Sequence, residues 1–177
     1  MIRHRLAAAL SLPLLLLPAT GCGLLDQAVN GTYTMPSESM QPTIRMNAEL
    51  DTRRVDGDYV PRRDDIVVFR PPADWEGNSP DRWQVSRVVG APGDRVACCD
   101  NPGALLEVND VPRKETFLAP GPVSARGFDV KVPQGRLWVM SDNRSVALDS
   151  RAHMDASGGG TIAVTDVIAV VEDWARP

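Results

Sequence analysis

The stretch Trp83–Cys99, WQVSRVVGAPGDRVACC, decides the fold class. Val85 to Val89 is rich in β-branched side chains, GAPGD follows, and Arg95 to Cys98 resumes the apolar pattern. β-Branched residues suit an extended backbone, and Gly and Pro interrupt it. The stretch therefore predicts two strands around a turn. The same reading extends in both directions. Ile66 to Phe69, within RRDDIVVFRPP, is a short strand stopped by Pro71 and Pro72, and ADWEGNSPDR after it is a loop. ALLEVNDVPRK predicts a hairpin with Asn109 and Asp110 at its tip. RLWVMSDN is a strand running into a polar loop, the glycines at 158–160 break the chain, and TDVIAVVEDW is the last strand. Fourteen glycines and fifteen prolines favour many short strands over long helices. No internal repeat and no amphipathic helix stands out. The expectation is an all-β domain, a barrel or a sandwich.

With 177 residues and 43% hydrophobic side chains, the chain can bury one genuine core. Its net charge of −4 and pI near 5.2 point away from nucleic acid. The first residues read as a targeting segment: Arg3 and Arg5, then an apolar run from Leu6 to Leu17 interrupted by Pro13. That run is short of the roughly 20 residues a bilayer span needs. Ala19-Thr20-Gly21-Cys22 resembles the lipobox of bacterial lipoproteins. The resemblance implies cleavage after Gly21 and acylation of Cys22. The organisation expected is a signal peptide over 1–21, a lipid-anchored tether over 22–32 and a domain over 33–177, outside the cytoplasm on the outer face of the cell membrane. An ordinary secretory signal is the alternative. Cys98 and Cys99 are then the remaining cysteines. Adjacent cysteines can form only a strained vicinal bridge. They read as a structural or a labile redox pair, since His153 and carboxylates alone would have to complete a zinc site. No metal and no cofactor is expected.

MPSESMQPTI, Met35 to Ile44, reads poorly as a helix and poorly as a turn, yet Ser37-x-Ser39-Met40 looks placed for chemistry. Three segments in order resemble the signal peptidase I family of membrane-bound serine endopeptidases. PSESMQPTI is similar to its nucleophile motif P-S-x-S-M-x-P-T-L. SRVVGAPGDRV is similar to K-R-V-V-G-x-P-G-D-x-V, and SDNRSVALDSR to G-D-N-R-x-x-S-x-D-S-R. The resemblance covers most of Met35 to Arg151 and implies that family's β scaffold, with a small variable β insertion at about 98–132. It implies Ser39 as nucleophile, with the Ser37 hydroxyl and the Ser39 amide binding the oxyanion. Met40 and Pro42 would shape the turn and a membrane-facing rim. Arg87 should pair with Asp142, and Asp149 with Arg151, to hold the site together. The partners implied are exported preproteins or their signal peptides.

The family activates its serine with a lysine whose pKa burial brings down toward neutrality. Here that lysine falls on Ser86, and the serine that hydrogen-bonds it falls on Ala147; the motif's opening glycine is Ser141. A serine hydroxyl is far too weak a base to replace an amine. The base and its orienting partner are missing together, so the resemblance implies a serine endopeptidase scaffold that is weakly active or inactive. Two alternatives stand beside it. One is an active endopeptidase with another base, His153 being the candidate. Against that role, His153 reads as an exposed loop histidine, and Lys114 and Lys131 as solvated surface charges. The other is a structural or partner-binding lipoprotein.

Overall fold

The computed structural model describes residues 30–57, 59–75, 82–99 and 103–172. The targeting segment, Cys22 and the first part of the expected tether lie outside the described residues. Eleven strands follow one another among the described residues: β1 Asn30–Thr34, β2 Glu49–Arg54, β3 Ile66–Phe69, β4 Gln84–Gly90, β5 Arg95–Cys98, β6 Leu106–Val108, β7 Val111–Arg113, β8 Phe128–Lys131, β9 Arg136–Met140, β10 Ile162–Ala163 and β11 Val167–Val171. One sheet runs β1-β2-β11-β3-β4-β9-β10 and a smaller one β7-β6-β5-β8, with every pairing antiparallel. The fold is all-β, as the strand spacing predicts. Among the described residues no helix is long and apolar enough to cross a membrane.

Trp83–Cys99 is the hinge between the two sheets. β4 lies in the large sheet and β5 in the small one, joined by the predicted GAPGD turn. Every residue of β4 from Val85 to Gly90 is buried. That explains why this strand lacks the alternation of a half-buried one. Val89, Trp138 and Met140 of the large sheet meet Val96, Leu106, Val108 and Phe128 of the small one in a shared core. Gly90 is fixed by this contact: a Cβ there would come 2.6 Å from a Val96 methyl and 2.9 Å from a Val132 methyl. Gly93 takes the positive φ, +89°, that the turn requires. The predicted ALLEVNDVPRK hairpin is β6–β7, and Asn109 and Asp110 both take positive φ at its tip. Cys98 and Cys99 are joined to each other as a vicinal disulfide.

Two further cores flank the large sheet. One gathers Met35, Met40, Ile44, Leu50, Ile66, Val68 and Val85, and the other Val67, Phe69, Trp75, Val88, Leu137 and Val139. Two expectations about MPSESMQPTI change here. The segment is a turn after all, closed by Gln41 N–H to Glu38 C=O at 3.1 Å and Ile44 N–H to Met40 C=O at 2.9 Å. Met40 is fully buried in the core rather than on a rim, so its side chain anchors the turn from below. The first strand begins at Asn30, inside the segment read as tether, and pairs Asn30 with Arg53.

Candidate active site

Ser39 stands at the top of the turn that Met40 anchors. The Ser37 hydroxyl lies 3.1 Å from Ser39 Oγ and accepts from the Ser39 amide at 3.3 Å. The Ser39 amide and the Ser37 hydroxyl are thus linked to each other and to Ser39 Oγ in one small hydrogen-bonded group. From the other side the loop after β9 holds the turn: the Asn143 amide donates to Ser39 C=O at 2.8 Å, and its side chain to Glu38 C=O at 3.3 Å.

A cleft of about 350 Å³ opens beside these serines. Ser37, Ser39, Ser86 and Ser141 line it together with the apolar side chains of Trp83, Val85, Val146 and Leu148. Val146 and Leu148 are more than half exposed, at 54% and 66%, which leaves an apolar lip at its mouth. Arg82 is the one ionisable side chain among the described residues on the wall. A guanidinium stays protonated in proteins and cannot take a proton from a serine.

Ser86 has a specific partner. The register Arg87↔Met140 of β4 and β9, continued by one residue, sets Ser86 opposite Ser141. Their hydroxyls are 2.6 Å apart and both residues are about 2% exposed. This is a cross-strand hydroxyl pair of a common stabilising kind. Two residues at which the motif resemblance fails therefore touch one another. A long side chain at 86 would meet the Ser141 hydroxymethyl, which the motif's glycine would not supply. Read as sequence, Ser141 is a separate and milder change; only the strand register joins the two.

Around this pair sits a dense charged frame. Arg87 binds Asp142 through both oxygens, Nε to Oδ1 at 2.8 Å and the guanidinium end to Oδ2 at 2.6 Å, with both side chains at 0% exposure. Thr43 of the Ser39 turn donates to the same carboxylate at 2.5 Å. The Phe117 ring lies 3.9 Å under the Arg87 guanidinium. Asp149 and Arg151 form the second pair, at 2.8–2.9 Å, and Asp149 also accepts from the Ser141 amide at 2.9 Å. The motifs alone do not point to Glu115, buried against Arg144 at 2.8 Å, nor to Phe117. Both come from the inserted segment, where no local pattern marks them.

His153 is elsewhere. It ends the short 3-10 turn Ser150–His153 and is buried, not exposed, stacked on Trp75 with ring centres 4.3 Å apart. It does not line the cleft that holds Ser39. Lys114 and Lys131 are exposed, Lys131 reaching the Gly93 carbonyl. Among the described residues no three metal-ligating side chains cluster. His153→Ala is expected to lower stability by roughly 1–3 kcal/mol through loss of a buried ring and its stack. Preprotein cleavage should stay at the parent level, read by gel after matched incubations. Loss of cleavage in a still-folded variant would make His153 the base.

A serine on a tight turn, a second hydroxyl at its amide and an apolar cleft alongside are what a serine-nucleophile hydrolase presents. Comparison with known proteins places that class more narrowly. The family model described as signal peptidase, peptidase S26, matches residues 7–174. The chain belongs to this family. Signal peptidase I of Mycobacterium tuberculosis is 32% identical, over 77% of this chain and 61% of that protein. Signal peptidase I of Leptolyngbya laminosa is 33% identical, over 66% of this chain and 57% of that one. The chain thus spans under two thirds of the length of these relatives. A crystal structure of a signal peptidase I from Enterococcus faecalis aligns at a TM-score of 0.47 and 23% identity, covering 64% of this chain and 98% of that one.

Proposed function

We propose that this protein engages the signal peptides of exported preproteins in the Ser39 cleft and does not cleave them efficiently. The nucleophile and its oxyanion donors are kept and the base is not. One observation carries this: the position where the family's motif has lysine holds Ser86, hydrogen-bonded to Ser141, and the cleft wall offers no other group able to accept the Ser39 proton among the described residues. Without a base the hydroxyl remains a poor nucleophile. Oxyanion binding and positioning alone can leave about 10³–10⁴-fold over water, so slow turnover fits this reading. Cys22, if acylated as its lipobox-like context suggests, tethers the domain to the outer face of the cell membrane, and more than one acyl chain makes that anchoring stable.

The test uses the full chain in neutral detergent and a preprotein with a small-x-small cleavage site. Wild type and Ser39→Ala should bind it with dissociation constants that agree within about twofold, since Ser39 contributes little to ground-state binding. Product should form slowly at best. Rapid cleavage by wild type that disappears in Ser39→Ala would sink the proposal.

A further inference from the structure

The arginines of this domain are mostly matched to carboxylates: Arg53 to Glu172, Arg87 to Asp142, Arg113 to Asp64, Arg144 to Glu115 and Arg151 to Asp149. Among the described residues six arginines, Arg45, Arg54, Arg62, Arg70, Arg82 and Arg136, have no carboxylate partner, and two of these share a cleft. Arg54, at the end of β2, and Arg70, just after β3, are exposed, and neither guanidinium bonds to any described residue. Both line a cleft of about 260 Å³, walled also by Tyr33, Asp56 and Thr165. Asp56 is its one carboxylate among the described residues, so the two guanidiniums leave the wall with a charge of +1. Tyr33 and Thr165 add hydroxyl groups, able to donate to further oxygens.

Two exposed guanidiniums on one wall, opposed by a single carboxylate, give that cleft a positive potential that favours a bound anion. The planar fork of a guanidinium matches a phosphate's oxygens two at a time. A net +1 wall with neutral hydroxyl donors suits a singly charged phosphodiester better than a free dianion. Position supports the same ligand. Asn30, where the chain enters its first strand, pairs with Arg53, the neighbour of Arg54. The cleft is therefore at the end of the domain that receives the N-terminal segment. It also adjoins the Ser39 cleft: Tyr33 meets Trp83 edge-on at 5.1 Å, and Trp83 lines the other cavity.

We propose that Arg54 and Arg70 form a binding site for the phosphate group of a phosphodiester, the headgroup of an anionic phospholipid being the source that the chain's entry point favours. The site is independent of the Ser39 reading. The probes are glycerophosphoglycerol (the soluble headgroup of phosphatidylglycerol), inorganic phosphate and tetra-aspartate, each titrated calorimetrically into the full chain. Glycerophosphoglycerol should bind. Arg54→Gln or Arg70→Gln should weaken it by about fivefold and the double variant by about 25-fold, as for exposed charge-assisted hydrogen bonds. Arg126→Gln, beside the smaller sheet, should change nothing, and circular dichroism should report the same fold throughout. Binding of inorganic phosphate alone, lost in the double variant, would keep the site and make free phosphate its ligand. Binding of tetra-aspartate alone, binding of no probe, or affinity indifferent to the double variant would each overturn the proposal.

Discussion

Replacing Ser86 with Lys, Ser141 with Gly and Ala147 with Ser together is expected to raise kcat/KM for a small-x-small preprotein by about 10²–10⁴-fold, the range a positioned general base contributes. Two of the three changes, at 86 and 141, act on one volume. Lysine at 86 brings the amine and glycine at 141 removes the hydroxymethyl now 2.6 Å from the Ser86 hydroxyl; serine at 147 restores the residue that the motif resemblance implies as the lysine's partner. Burial would press the lysine pKa down toward neutrality, so activity should rise with pH as the amine loses its proton. The same burial should make the variant less stable than the parent at low pH, where the unfolded lysine binds a proton the folded one resists. Ser86→Lys with Ala147→Ser alone should gain far less, because the lysine stem is then forced against Ser141 in a strand pair with no slack. Equal gains in the two variants would show that Ser141 is no obstacle. An inert triple variant that still folds and still binds preprotein would remove Ser86 as the position of the base.

The strands β3 to β7, β9 and β11 were legible because their signals are local, whereas β1, β2, β8 and β10, short or polar, were not. Ile66 to Phe69 and Arg95 to Cys98 have the predicted limits, since prolines or a Gly-Pro turn stop them. The Ser39 turn stood out as a motif but was not legible as structure. Its prolines and methionines give no periodicity, and Met40 is buried only because Leu50, Ile66 and Val85 close over it from other strands. The site's interior was half legible. The motif resemblance sets Ser86 and Ala147 at the positions of its lysine and that lysine's serine partner. It does not show that Ser86 faces Ser141, 55 residues away, because that is a property of the β4–β9 register. His153 illustrates the same gap. Its polar neighbours suggest an exposed loop, and a tryptophan 78 residues earlier, Trp75, supplies the ring that buries it. In each miss a residue's fate is set by a partner remote in sequence.

Asp142→Ala is expected to cost about 3–5 kcal/mol, the usual penalty for leaving a buried charge without its partner. Arg87 would lose both hydrogen bonds to the carboxylate while remaining at 0% exposure; the Asp64 carbonyl at 3.2 Å and the Phe117 ring beside it carry no charge to replace that carboxylate. The urea midpoint should fall with little change in slope. Arg87→Met with Asp142→Leu should recover most of the loss, because an apolar pair of similar volume removes the charges from the core altogether. The recovery should not extend to the cleft. Asp142 also holds the Thr43 hydroxyl, and the next residue, Asn143, donates to the Ser39 carbonyl. A leucine can fill the space but cannot accept from Thr43. The double variant should therefore refold to near-parent stability yet exchange its Asn143 amide hydrogen faster than the parent. Combined with the triple change Ser86→Lys, Ser141→Gly and Ala147→Ser, it should lose about tenfold in kcat against unchanged substrate affinity, as a displaced nucleophile would. If the double variant kept both the slow amide exchange and the full rate in that background, the buried pair would be a stabilising element alone, with no part in holding the nucleophile turn.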